Sequence, residues 1–270
     1  RGLGDVYKRQ IMQTIHLYDL LEIQKIREPE IQIVSNLSFL PVNENNLVYK
    51  AARLLQEEFA LTDGISVKLT KRIPVAAGMA GGSTDAAAML YAMNQLYDLG
   101  LSRRELMKRG VQIGADVPYC LMRGTALAEG IGEKLTQLPP MIKCPVLIAK
   151  PSISVSTKFV YQNLKLDDQT NHPDIDALMK DIREKDFDGV CAHMGNVLES
   201  VTIPNYPVIA EIKQQMMRSG AKASMMSGSG PTVFGLFEDG ETAKRALREM
   251  KRSGLAKQVY LTTIYNNRRK

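Results

Sequence analysis

The chain has 270 residues, of which 44% are apolar and 24% charged, and its formal net charge is +6. These values are typical of a globular protein with room for two modest cores, and we expect it in the cytoplasm. No apolar run reaches the roughly 18 residues of a membrane span, and the basic residues are scattered, so we expect neither a membrane nor a nucleic-acid partner. The cysteines are Cys120, Cys144 and Cys191, an odd number without close pairing, which argues against a disulfide framework or a zinc site.

Strand and helix signals alternate along the chain, without repeats or low complexity. The first half predicts strands at 31–34 and 65–69, a helix at 47–60, an alanine-rich helix at 86–97, and a helix that Ser102 and Glu105 cap and that ends at Arg109. The second half predicts strands at 144–149, 224–226, 232–237 and 258–264, and helices at 157–163, 175–184, 190–198, 208–219 and 241–253. This mixture predicts an α+β protein of two domains, at 11–145 and 146–270.

A glycine-rich turn before the alanine-rich helix is the most informative segment. It comprises Pro74, Val75, Ala76, Ala77, Gly78, Met79, Ala80, Gly81, Gly82, Ser83 and Thr84. Glycines leave room for an anion at the backbone N–H groups, and the helix adds the positive end of its dipole. The hydroxyls of Ser83 and Thr84 are suited to capping the helix, or to facing a phosphate or Mg²⁺. The turn therefore predicts a phosphate site, with helix capping as the plainer alternative.

Two other phosphate-binding patterns do not fit this turn. Gly82 stands where the P-loop needs a lysine, and Ala80 stands where the dinucleotide fingerprint needs its second glycine. The pattern P-x-x-x-G-x-x-G-G-S-[ST]-D-A-A-A instead resembles the ATP loop of the GHMP kinases. Further segments match that family in the right order: Ile11-Met-Gln-Thr-Ile15-His-Leu-Tyr-Asp19, which resembles a strand and turn of the family, Asn46-Leu-Val-Tyr-Lys-Ala-Ala, Lys71-Arg-Ile-Pro74, Gly114-Ala-Asp116-Val-Pro118 and Met226-Ser-Gly228-Ser-Gly230-Pro-Thr232.

The resemblance covers residues 11 to about 264. It implies a ribosomal-S5-domain-2-like N-terminal domain and a ferredoxin-like C-terminal domain, with the active site in the cleft between them. Within the family, the chain is most similar to the branch whose small-molecule substrate is a cytidine-diphosphate methylerythritol. The implied reaction is ATP-dependent phosphorylation of its 2-hydroxyl, a step toward isoprenoid precursors, with ATP and Mg²⁺ as cofactors. Another GHMP kinase, for homoserine, mevalonate or a sugar, and an inactive nucleotide-binding remnant are the alternatives.

The resemblance also assigns roles to individual residues. Asp116 is implied to be the general base, whereas the sequence alone explains it equally well as a turn or N-cap aspartate. The glycine-rich turn and Asn46 are implied to hold ATP, with helix capping an equally good interpretation for Asn46. Ser83 is implied to contact the metal. The remaining implied substrate contacts are Thr157, Ser227, Gly228, Ser229 and Gly230.

The beginning of the chain departs from the family pattern. That pattern opens with a P-A-K-I-N-L-type motif, which supplies a lysine, and a D-G-Y-H-type motif, which supplies aromatic rings for the cytosine. No residue of this chain matches either motif. We expect residues 1–10 to be a non-native lead in place of these segments, and we expect a monomer or homodimer.

Overall fold

The computed structural model describes residues 8–165 and 172–267. Residues 1–7 of the expected lead lie outside the described residues, whereas residues 8–10 open the first strand, and the lead itself stays a prediction. The N-terminal half contains β1 (Lys8–Gln13), β2 (Leu20–Ile26), β3 (Ile31–Ser35), α1 (Leu47–Glu58), β4 (Gly64–Thr70), α2 (Gly81–Leu96), α3 (Arg103–Ile113), α4 (Val117–Met122), β5 (Thr125–Gly130) and β6 (Lys134–Gln137).

These strands form two three-stranded sheets. One has the order β1-β5-β6 and is antiparallel; in the other, β4 lies between an antiparallel β2 and a parallel β3. Ile65, Val67 and Leu69 alternate along β4 and are buried, because successive side chains of a strand point to opposite faces. They pack in one core with α1 and α2, whose Leu55 and Leu90 are fully buried.

The C-terminal half contains β7 (Pro145–Lys150), α5 (Thr157–Asn163), α6 (Ile175–Glu184), α7 (Phe187–His193), α8 (Glu199–Asn205), α9 (Val208–Arg218), β8 (Ala223–Met226), β9 (Val233–Leu236), α10 (Gly240–Ser253) and β10 (Gln258–Thr263). Its strands form an antiparallel sheet of order β10-β7-β9-β8. With α9 and α10 as its helices, this is the β-α-β-β-α-β pattern of a ferredoxin-like domain, and α5–α8 are inserted after its first strand.

The two halves are joined through the chain ends. Ile15 and Ile264 form an isolated bridge, and Gln13 Nε2 donates to the carbonyl oxygen of Tyr265 at 2.8 Å. Ile15, Met79 and Ile264 also pack in one apolar cluster with Ile148 of β7. The glycine-rich turn therefore lies where the halves meet. The boundary between residues 145 and 146 stays a prediction.

The expected α+β class is confirmed, and α5 and α6 have the predicted bounds. Ser102 and Glu105 form the predicted capping box, although α3 continues past Arg109 to Ile113. The prediction of one helix at 190–198 is wrong, because α7 ends at His193 and α8 is a separate helix. The sequence interpretation also omitted β2, α4, β5 and β6. Within 8–165 and 172–267, none of the helices has the length and hydropathy needed to span a membrane.

Candidate active site

The backbone of the glycine-rich turn alternates in handedness. Ala76, Gly78 and Ala80 have φ values of 50°, 68° and 50°, so every second residue is left-handed. Such alternation points successive N–H groups into one concave surface, which is an anion-binding arrangement. Two of the three positions are alanines, for which a left-handed backbone costs on the order of 1–3 kcal/mol each. Strain of this size at a surface turn is typical of a ligand-binding site.

Helix α2 begins inside the glycine-rich segment, five residues before its predicted start. Its N-cap is Ala80, whose carbonyl oxygen accepts from Thr84 N at 2.9 Å and from the Thr84 hydroxyl at 3.0 Å. The alternative in which Ser83 or Thr84 caps this helix is therefore wrong, because both residues lie within its first turn. The N–H groups of Gly81, Gly82 and Ser83 precede the first intrahelical hydrogen bond, so the positive end of the helix adjoins the turn.

The three glycines of the turn serve different purposes. A Cβ at Gly78 would lie 2.2 Å from the carbonyl oxygen of Ser227, and one at Gly81 would lie 3.0 Å from Ile73 Cγ2. Packing within the protein therefore requires glycine at position 78, whereas a side chain at position 81 would require Ile73 to shift by a small amount. Gly82 is exposed, and a Cβ there would meet only Leu47, at 3.5 Å. The fold itself therefore does not require glycine at position 82.

Asp116 precedes α4, close to the start of α2. It occupies the N-cap position, but its side chain makes no capping hydrogen bond. It is half-buried, and a Cβ at Gly132, in the turn between β5 and β6, would lie 3.9 Å from its Oδ1. A Cβ at Gly114 would lie 3.9 Å from the Ser83 hydroxyl oxygen. The segment that carries Asp116 thus adjoins the end of the turn that contains Ser83.

The loop of residues 227–230, which we call the third loop, contacts the other end of the turn. The Ser227 hydroxyl donates to the carbonyl oxygen of Gly78 at 2.7 Å. The Ser229 hydroxyl lies 2.9 Å from that of Thr157, at the start of α5. The structure therefore brings the Asp116 segment, the turn and the third loop together.

A buried ion cluster lies beneath the start of α2. Lys71 Nζ pairs with Asp85 Oδ2 at 2.6 Å and also with Asp19 Oδ2, and at most 4% of each of the three side chains is exposed. Burial raises the pKa of Asp85 to about 7, although Lys71 opposes this shift. Asp85 Oδ1 is buried without a hydrogen-bond partner among the described residues. The cluster joins the strand before the turn to the helix after it.

Sequence reasoning assigned no role to these three residues. Lys71 and Asp85 flank the turn on either side, and this opposite charge was the available signal. Asp19 was harder to find, because it comes from the connection between β1 and β2. Its Oδ1 accepts from Ile73 N at 2.8 Å, which fixes the chain at the entrance to the turn.

Two side chains near the turn, those of Asn46 and Cys120, make contacts within the protein. Asn46 Oδ1 accepts from Val48 N at 2.9 Å, and its Nδ2 donates to the carbonyl oxygen of Pro41 at 2.6 Å. The capping interpretation of Asn46 is thus confirmed, and its contact with a nucleotide stays a prediction. Cys120 lies 3.4 Å from the Thr84 hydroxyl, and burial raises the pKa of its thiol to about 12. A thiol held in this protonated form is a poor nucleophile.

Family models match both halves of the chain. The model for the GHMP kinases N terminal domain matches residues 46–124, and the model for the GHMP kinases C terminal matches residues 178–256. The chain belongs to the GHMP kinases. The first match includes the glycine-rich turn and Asp116, and the second includes the third loop, so both parts of the site lie in matched regions of this GHMP kinase.

Individual relatives agree with this assignment. This GHMP kinase is 58% identical to the 4-diphosphocytidyl-2-C-methyl-D-erythritol kinase of Lachnospira eligens, over 98% of the chain and 91% of that protein. It is 53% identical to the kinase of the same name from Lachnoclostridium phytofermentans, over 99% and 91% of the two chains.

Solved structures agree as well. A crystal structure of 4-(cytidine 5'-diphospho)-2C-methyl-D-erythritol kinase superposes with a TM-score of 0.82 at 28% identity, covering 97% of this chain and 91% of that one. The homoserine kinase of Cytophaga hutchinsonii superposes at 0.78 with 22% identity, covering 94% and 89%, and shares the fold. The two-domain architecture that the sequence resemblance implied is confirmed.

Proposed function

We propose that this chain transfers the γ-phosphate of ATP to the 2-hydroxyl of 4-diphosphocytidyl-2-C-methyl-D-erythritol. The observation that carries the proposal is the position of the glycine-rich turn, between the Asp116 segment at one end and the third loop at the other. The identity of 58% to a kinase named for this substrate supports the choice of acceptor. The reaction would be a step in the synthesis of isoprenoid precursors.

The glycine-rich turn would bind the phosphates of ATP. Its alternating backbone and the first N–H groups of α2 present hydrogen-bond donors that need no side-chain cation. Gly82 would let a phosphate approach the backbone closely. Thr157 and the third loop, which are joined through Ser229, would contact the acceptor.

Asp116 would act as the general base. Its carboxylate accepts the proton of the acceptor hydroxyl while that oxygen forms its bond to the γ-phosphorus. The bond between the γ-phosphorus and the bridging oxygen breaks, and ADP leaves with the bond's electron pair. Asp116 is half-buried, and its segment adjoins Ser83 at the start of α2, which supports this role.

The donor set is compatible with Mg²⁺ held mainly by the nucleotide. Within the described residues, no group of three or more His, Cys, Asp or Glu side chains is placed to hold a metal. Mg²⁺ is commonly bound through one or two protein oxygens together with substrate phosphates. Ser83 would supply one such oxygen, with Asp116 nearby. When bound, the ion would neutralise charge on the phosphate oxygens.

The test measures ADP release from ATP and Mg²⁺ with three acceptors: the cytidyl substrate, mevalonate and homoserine. We expect turnover with the cytidyl substrate alone. Asp116→Asn should lower kcat by about 10²-fold or more and change the dissociation constant of ATP less than about threefold. Asp239→Asn is the matched control, because Asp239 is also an N-cap aspartate and does cap α10.

Each outcome has a distinct meaning. Near-normal turnover in Asp116→Asn would contradict the general-base role. Turnover with mevalonate or homoserine instead would support kinase activity but refute the proposed acceptor. ATP binding without ADP release with any acceptor would favour an inactive nucleotide-binding protein.

A further inference from the structure

The third loop contacts α8 and the residues just before it. Asn196, Glu199 and Thr202 are spaced three residues apart, and a hydrogen bond from Glu199 N to the Asn196 carbonyl oxygen, at 3.1 Å, begins the helical turn there. Glu199 and Thr202 share a face of α8, and Asn196 lies three residues before the helix begins. Asn196 and Glu199 hydrogen-bond to the backbone at residues 226–228, and Thr202 contacts the backbone of Ser229.

Asn196 makes the closest set of these contacts. Its Nδ2 donates to the carbonyl oxygens of Met226 and Gly228, at 2.9 and 2.8 Å. Its Oδ1 accepts from Leu198 N at 3.0 Å. Because every polar atom of this amide has a partner, the hydrogen bonds fix which way the side chain faces. The Nδ2 group donates to the backbone around the loop, and the Oδ1 atom accepts from the residue that precedes α8.

Glu199 and Thr202 extend this arrangement along the helix. Glu199 Oε1 accepts from Met226 N at 2.8 Å, while its Oε2 pairs with Lys213 of α9 at 2.5 Å. The buried hydroxyl of Thr202 donates to the carbonyl oxygen of Leu198 at 3.1 Å and lies 3.5 Å from the carbonyl oxygen of Ser229. The loop is therefore hydrogen-bonded at its entrance and middle, and Thr202 contacts it further along.

The loop needs this external support. Gly228 and Gly230 have φ values of 55° and 84°, and glycines lose the most backbone freedom when they are fixed in one conformation. The loop nevertheless meets the glycine-rich turn closely, since a Cβ at Gly228 would lie 3.4 Å from the Gly78 carbonyl oxygen. A small shift of the loop would therefore disturb the turn.

We propose that Asn196, Glu199 and Thr202 are positioning residues that hold the third loop against the glycine-rich turn and so set the affinity for ATP. The inference rests on the proposed function, since it takes the turn to be the nucleotide site. The three residues act through the loop, which separates them from the nucleotide. Their loss should raise the KM for ATP more than it lowers kcat.

Asn196→Asp is the sharpest variant. The aspartate keeps an oxygen that accepts from Leu198 N, so the turn before α8 is preserved. It has no donor for the carbonyl oxygens of Met226 and Gly228, and its charge faces both of them. Asn205→Asp is the matched control, because Asn205 lies at the end of the same helix and donates to the Val201 carbonyl oxygen at 2.8 Å, away from the loop.

The experiment compares these two variants by steady-state kinetics, ATP binding and amide hydrogen exchange of residues 224–234. In Asn196→Asp we expect the KM and dissociation constant for ATP to rise about tenfold, kcat to change less than about threefold, and exchange in the loop to quicken. Asn205→Asp should match the wild-type chain in all three. Should Asn196→Asp fail to fold, Asn196→Ser replaces it, because serine keeps a side-chain oxygen and lacks the two N–H donors of the amide.

Equal ATP affinity and equal loop exchange in the two asparagine variants would overturn the inference. A fall in kcat alone, with ATP affinity unchanged, would also overturn it. If the wild-type chain turns over with none of the acceptors, the proposed function fails separately. In that case ATP binding and amide exchange in the loop still decide whether Asn196, Glu199 and Thr202 position the loop.

Discussion

Replacing Gly82 by alanine should separate the stability of α2 from its capacity to bind a nucleotide. Gly82 is the second residue of the helix and is exposed, and a Cβ there would lie 3.5 Å from Leu47 Cδ1, an ordinary contact. Glycine within a helix is less favourable than alanine by about 0.5–1 kcal/mol. The variant should therefore be as stable as the wild-type chain or slightly more so, with a melting temperature higher by about 2 °C at most.

Binding should change in the opposite direction. The added methyl group would occupy the surface over the first N–H groups of α2, where we place the phosphates. Forcing a methyl group into a close-packed contact costs about 1–3 kcal/mol. Since 1.4 kcal/mol is a tenfold change in affinity, the dissociation constant for ATP should rise by about 5- to 150-fold.

Calorimetric titration with ATP and Mg²⁺, together with thermal unfolding, measures both effects. Gly240→Ala is the matched control, because Gly240 begins α10 and a Cβ there would have no atom within 4 Å. It should share the small gain in stability and leave ATP binding unchanged. Wild-type ATP affinity in Gly82→Ala would refute the placement of the phosphates at this helix start.

Two further substitutions test the surroundings of the turn. Gly81→Val should block ATP binding and also lower the melting temperature, because its Cβ would already lie 3.0 Å from Ile73 Cγ2. A fully stable variant with normal ATP affinity would contradict this prediction. Asp85→Asn tests the buried cluster. The pKa of Asp85 is raised from its ordinary 3.8 to about 7. Its contribution to the free energy of unfolding is therefore present below pH 3.8 and is lost as the pH rises through about 7. In urea unfolding from about pH 5 to pH 8, the wild-type chain should therefore lose more stability than Asp85→Asn. Equal losses in the two proteins would show that Asp85 is not the titrating group.

Local signals predicted much of the fold and part of the site. The capping box of α3 and the bounds of α5 and α6 follow from residues that are neighbours in sequence. The glycine-rich turn was identified for the same reason. The backbone geometry of the turn could not be predicted, because two of its left-handed residues are Ala76 and Ala80, and alanine rarely adopts that conformation.

Contacts between distant segments account for most of what the sequence did not predict. Asp19 and Lys71 are 52 positions apart, and their pairing depends on the antiparallel register of β2 and β4. Helix α8 was missed because it is short and contains Pro204, which usually argues against a helix. Asn196 reads as an ordinary polar residue until the third loop, 30 positions later, is folded against it.

The buried cluster explains why the backbone, rather than a lysine, would have to meet the nucleotide's charge at this turn. Lys71 is the nearest ammonium to Gly81, but it is already paired with two carboxylates. With both carboxylates ionised, the three groups carry a net charge of about −1, which would repel a phosphate. Protonation of Asp85 removes that charge, and a pKa of about 7 makes protonation accessible. Attraction for the anion must then come from the N–H groups of the turn and from α2, and these are the groups that a methyl group at Gly82 would obstruct.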